Sequence, residues 1–170
     1  MKKLLVFAVA ILGFSAFSFG QNSADQVAKA FVVQAITITS GIQLDFGTFA
    51  SRNLVSSTVV MDVTGSRTGS TANLIATGPG AVGTFDLTGD VTAPITIGLP
   101  QGVTSLTGPA NAVPMTIAAA DWTTDGGSLG SYVIGSGGAR TLKVGATLTV
   151  NANQTPGAYT GTYTVTANYN

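Results

Sequence analysis

The 170-residue chain has no cysteine, no histidine and no glutamate, and charged residues make up only 8% of it. Each absence removes a class of chemistry. Without Cys there is no disulfide, no thiolate nucleophile and no site for lipid attachment through a thioether. Without His there is no His-paired triad, and without either residue no zinc site of the usual ligands. The seven Lys and Arg balance seven acids, all of them Asp. No basic patch is left to follow a phosphate backbone, so nucleic acid is not an expected partner. No cofactor is expected, and any metal site would have to be built of Asp oxygens, like a calcium site.

What is present begins with an export signature. Lys2 and Lys3 precede an apolar run from Leu4 to Phe14, followed by Ser18 and Gly20. A positive n-region, a short h-region and small residues three and one places before a cut define a secretory signal peptide. Cleavage is expected before Gln21. The run is shorter than the ~20 residues that span a bilayer, so no membrane span is expected afterwards. The protein is expected to be secreted through the periplasm to a bacterial cell surface or the medium. The remaining 150 residues, with a net charge of −2, suit one domain over 21–170 that buries roughly 68–70% of its unfolded surface.

Hydropathy in that domain has a period of two. Tyr159, Gly161, Tyr163, Val165, Ala167 and Tyr169 alternate with Thr160, Thr162, Thr164, Thr166 and Asn168. Leu142, Val144, Ala146, Leu148 and Val150 alternate with Thr141, Lys143, Gly145, Thr147 and Thr149. Such alternation marks strands with one buried and one wet face. The turn-rich 151–157 stretch between them predicts a hairpin. Shorter sets precede them: Ile36/Ile38, Ile42/Leu44/Phe46, Val59/Met61/Val63, Phe85/Leu87, Ile95/Ile97/Leu99 and Val113/Met115/Ile117. Turn residues separate them at Thr64-Gly65-Ser66, Gly78-Pro79-Gly80, Thr88-Gly89-Asp90, Thr107-Gly108-Pro109 and Asp125-Gly126-Gly127. About seven to nine such strands predict an all-β, antiparallel β-sandwich. The Gly/Ser-rich 126–138 stretch reads as a loop interrupted by a brief strand at Tyr132 to Ile134.

Residues 21–35 are an N-terminal extension or a first strand. Ser23-x-x-Gln26 is a capping box that could open a helix through Ala35. Read as a strand, Ala28, Ala30 and Val32 line one face and Phe31 and Val33 the other, and extended structure is favoured in an assembled state.

Three motifs suggest chemistry. Gly78-Pro79-Gly80-Ala81-Val82-Gly83 spells GxGxxG, but Pro79 and a following strand predict a turn rather than a dinucleotide site. Asp121, Trp122 and Asp125 could form a calcium or sugar site; core packing for Trp122 and turn formation for the two Asp are the competing reading. A hydrolase would need two Asp with separated pKa values, and those available sit beside turns or on wet faces. No catalytic residue is assigned, and the protein is expected not to be an enzyme. Asn153-Gln154-Thr155 matches a glycosylation sequon.

The two ends carry a resemblance. Gly157 stands fourteen residues from the C-terminus and Tyr169 is penultimate, an arrangement that resembles the terminal β-zipper of chaperone–usher pilus subunits. More of the chain is similar to the secreted bacterial family called domain of unknown function 4402, itself thought to be fimbria-related. The matching stretches are Leu44-Asp45-Phe46-Gly47-Thr48-Phe49 and Gly83-Thr84-Phe85-Asp86-Leu87-Thr88-Gly89. Two more follow, Leu142-x-Val144-Gly145-Ala146-x-Leu148-x-Val150 and Gly157-x-Tyr159-x-Gly161-x-Tyr163-x-Val165. The resemblance implies an immunoglobulin-like sandwich that assembles by strand exchange. It implies copies of itself or related subunits as partners, with a periplasmic chaperone and an outer-membrane usher. Gly157, Tyr159, Tyr163, Val165 and Tyr169 would form the assembly strand, and Ala30, Phe31, Val32 and Val33 the donor segment. The alternative is a self-complete adhesin or carbohydrate-binding module, with Asp121, Trp122 and Asp125 as its site.

Overall fold

A computed structural model of the protein describes residues 22–70, 72–126 and 132–170. The chain divides into two units, Met1–Phe31 and Val32–Asn170. In the first, residues 22–31 form neither helix nor strand and every side chain is exposed, Val27 and Phe31 by more than four-fifths. The capping-box helix is therefore absent: neither 22–31 nor 32–35 is helical, and the first strand begins at Thr37. Short helices hold only when an apolar stripe packs on something. Phe31 and Val32 are both more than four-fifths exposed.

The second unit is all-β, a sandwich organised around one long strand. Its strands are β1 (Thr37–Ser40), β2 (Phe49–Ala50), β3 (Ser57–Met61), β4 (Arg67–Gly69), β5 (Asn73–Leu74) and β6 (Gly83–Thr88). They continue with β7 (Ile95–Gly98), β8 (Thr104–Leu106), β9 (Met115–Ile117), β10 (Trp122–Thr124), β11 (Ala139–Val150) and β12 (Thr166–Tyr169). The count exceeds the expected seven to nine because six of them are only two or three residues long.

β11 behaves as its sequence predicts. Leu142, Val144, Ala146, Leu148 and Val150 are all buried. Along one edge it pairs first with β6, up to Val144 opposite Gly83, and then with β3, from Ala146 opposite Met61. The other edge carries β10 and then a contact with β9 at Thr149. The change of partner falls at Gly145, where an added Cβ would lie 2.4 Å from the Met61 carbonyl oxygen. Only glycine lets β11 bend there and serve both halves of the sheet. β1 extends this sheet beyond β6, while β7 pairs with β12 and β2 with β5 in two smaller ladders.

The core fills from both layers: Val59 and Met61 of β3, Leu87 of β6, Ile95 and Ile97 of β7, Met115 and Ile117 of β9, and Val165 join the β11 face. Asp residues close the turns. Asp62 Oδ1 accepts from the Thr64 hydroxyl and from the amides of Thr64 and Ser66, and Gly65 takes φ +85°. Asp90 does the same with Thr92 and Ala93. The threonine hydroxyl in each turn, with these amides, holds the carboxyl below its ordinary range. The expected strand at Tyr132 to Ile134 is a single bridge from Tyr132 to Ile95, with Arg140 over the Tyr132 ring at 4.1 Å. Gly127 to Gly130 and Ser131 of the expected loop lie outside the described residues.

The expected hairpin between β11 and the terminal segment does not form, because β12 pairs with β7 instead. The connection between them is anchored on another part of the fold. The Asn153 amide donates to the Arg52 carbonyl, and the Asn151 side chain donates to the Pro114 carbonyl. Buried Gln154 donates to Val113 and Tyr159. These bonds tie the connection to residues 52 and 113–114, and the chain then runs on to pair with β7.

Candidate functional site

Two stretches of backbone on this sandwich are only partly paired. After β1 the chain continues beside β6: the Gly41 amide donates to Thr84, the Thr84 amide to Ile42, and Asp45 bridges Ala81. Among the described residues, no strand pairs with the opposite edge of 42–46. Across from it, the terminal segment makes one bridge, Thr160 to Thr107, and then no ladder until Thr166. Between the two stretches runs a slit.

The slit consists of two communicating hollows of about 910 and 620 Å³ that share Leu44, Asp45, Phe46, Leu106 and Tyr159. The larger reaches Ser40 and is lined by Phe85, Ile117, Trp122 and Tyr163; the smaller reaches Ser51 and is lined by Met115 and Leu148. Asp45 alone carries a charge among the described residues that line it. Hydrogen bonds draw the walls together at one end: the Ser51 hydroxyl donates to the Gln154 carbonyl, and the Tyr159 hydroxyl accepts from the Gln154 amide while donating to Thr155. Further along the same two segments, outside the hollows, the Tyr169 hydroxyl donates to the Gln34 carbonyl at 2.7 Å and accepts from the Asp90 amide at 2.8 Å.

An aromatic stack stands under the larger hollow. The Trp122 and Tyr163 rings lie 4.6 Å apart at 35°, and Phe85 meets Tyr163 edge-on at 5.9 Å. Burial raises the Tyr163 hydroxyl pKa above its ordinary value. Trp122 is 6% exposed, and its indole N–H has no partner among the described residues.

Of the five terminal residues named from the sequence, Gly157, Tyr159 and Tyr163 line the slit, Val165 is in the core, and Tyr169 bonds Gln34 and Asp90 outside it. Gly157 has φ +149°, and a side chain there would meet the Pro109 ring. In the N-terminal segment, Ala30, Phe31, Val32 and Val33 are all exposed. The residues of the alternative ligand site are otherwise engaged. Trp122 spends its ring in the stack, Asp121 ends a 3₁₀ turn (Ala119–Asp121), and the Asp125 carboxylate accepts from the Lys143 amide. No group of three or more acids that could hold a metal occurs among the described residues. The GxGxxG string is a turn running into β6, with Gly80 at φ +77°.

Sequence reasoning missed two residues that shape the slit. Arg67 donates to the carbonyls of Phe46, Thr48, Ile75 and Gly78, fixing the wall at 45–49. Gln154 showed only as the middle of a sequon. Neither had a signal beyond being a lone long polar side chain in a region of short ones.

The family described as Domain of unknown function (DUF4402) matches residues 36–169. No curated protein and no solved structure matches the chain.

Proposed function

The chain belongs to that family, and from its slit and its exposed N-terminal segment we propose that it is an exported, non-enzymatic structural subunit of a fimbria-like cell-surface assembly. The observation that carries the reading is the slit itself. It offers two unpaired backbone edges above an apolar floor, which is the surface that β-augmentation fills. The same chain carries an apolar segment, Ala24–Val33, with its large side chains in water. An extended strand entering the slit would satisfy backbone donors and acceptors on both sides and bury its alternate side chains. Copies of the chain or related subunits supply that strand, with a chaperone and usher as the escorting partners during export. Burial of Trp122 weighs against the self-complete adhesin, because an aromatic platform for sugar needs an open face.

Two measurements test this. The secreted protein should have the mass of a chain beginning at Gln21; one retaining Met1–Gly20 would overturn export. Protein refolded slowly at high concentration should give a ladder of cross-linked multimers and filaments by negative stain. A monomer at every concentration that binds a glycan array would favour the adhesin instead.

A further inference from the structure

We propose that Lys29 of one copy pairs with Asp45 of the next, and that this contact sets the register of the incoming strand. The inference rests on the strand-complementation reading and adds to it a partner, a second copy of this chain, and an alignment. In an extended strand Val27, Lys29, Phe31 and Val33 share one face. Between Val27 and Val33 that face carries a single charge, flanked by apolar side chains, with Asp25 further toward the N-terminus, and the slit carries a single opposite charge. Asp45 stands where the two hollows meet, its Oδ1 accepting from the Gly47 amide at 2.7 Å. Placing Lys29 at that junction sends Phe31 into the larger hollow, beside Phe85 and Tyr163, and Val27 into the smaller, beside Met115 and Leu148. The strand then runs antiparallel to residues 40–51. The lysine stem lies along the apolar floor while its ammonium rises to the carboxylate at the rim. A two-residue shift with this face inward buries Lys29 among apolar side chains without a counter-charge, which is costly, and a one-residue shift turns Phe31 outward and leaves the smaller Ala28, Ala30 and Val32 to fill the hollows.

Charge reversal tests the pair in the full exported chain. Lys29→Asp and Asp45→Lys should each weaken self-association about tenfold, since attraction gives way to repulsion at a partly exposed site. Asp45→Asn, which keeps an acceptor for the Gly47 amide, should weaken it less and flatten its salt dependence. Mixing the two reversed proteins in equal amounts should restore multimers. Each arm then meets an oppositely charged slit on the other variant, even though each protein alone associates about tenfold more weakly. Sedimentation velocity reads all of these. Single variants that assemble like the wild type would overturn the register while leaving strand complementation standing. Single variants that fail but are not rescued by mixing would overturn the pairing between copies and favour an arm folded into its own slit. A wild-type protein that never self-associates would remove both readings.

Discussion

Phe31→Asp combined with Val33→Asp is expected to give a folded monomer that forms no multimers. Phe31 is 84% exposed and Val33 36% exposed. Neither belongs to a ladder, so no strand pairing is lost with them. In the assembled state the same positions face an apolar floor. Burying a Val-sized side chain there contributes roughly 1.5–3 kcal/mol, and an unpaired carboxylate in its place costs more than the neighbouring contacts return. Circular dichroism and the melting temperature should match the wild type, while size-exclusion profiles lose every peak but the monomer. Loss of folded monomer would make the segment part of the domain's own structure. Multimers that survive would place the interface elsewhere.

Arg67→Met is expected to have the largest effect on stability. The guanidinium donates to four carbonyls, at 3.1 Å to Phe46 and Thr48, 2.7 Å to Ile75 and 2.6 Å to Gly78. It thereby joins two loops whose backbones approach so closely that a Cβ on Gly47 would lie 2.1 Å from the Gly78 oxygen. Bonds from a charged donor contribute about 1.5–3 kcal/mol each, but four on one group are not additive and two of these carbonyls are exposed. A net loss of about 3 kcal/mol follows, or roughly 6–12 °C in melting temperature for a domain of this size. Arg67→Lys should recover only part of it, because an ammonium cannot reproduce the planar fork. A melting temperature within about 2 °C of the wild type would show that the loops hold without the staple.

How much of this was legible in the sequence depended on whether a feature is local. In β11 the wet face is mostly threonine and lysine and the dry face is aliphatic, so alternation alone identified the five buried aliphatics, while Gly145, expected on the wet face, is buried as well. At the terminal segment alternation again identified the inward side chains, Tyr159, Tyr163, Val165, Ala167 and Tyr169. It misjudged the partner, because period two says which way a side chain faces and nothing about which edge pairs with it. β12 finds β7 some seventy positions earlier in the chain. Val113 was expected inside with Met115 and Ile117, but it is 61% exposed. Pro114 follows it and cannot donate to a ladder, so β9 starts at Met115. Ile42, likewise expected on a buried face, is 60% exposed, at the lip of the slit where a covering strand is missing. The slit was not legible as a place. It arises where two segments more than a hundred residues apart run side by side without joining.

The bond between Tyr169 and Gln34 gives the fold a mechanical character. Any pull on the N-terminal arm reaches the sandwich at Gln34, where the Tyr169 hydroxyl holds the carbonyl and the Asp90 amide holds the hydroxyl. Past that clasp the load enters β1, paired from Thr37–Thr88 to Ser40–Phe85. Tension along β1 strains those backbone bonds sideways and all at once, so they resist as a set. A force applied across the strand would open them one after another, like a zipper. Resistance to forced opening is governed by the unfolding barrier rather than by equilibrium stability. For a pull directed along β1, the clasp at Tyr169 thus leads into a ladder loaded in shear rather than peeled.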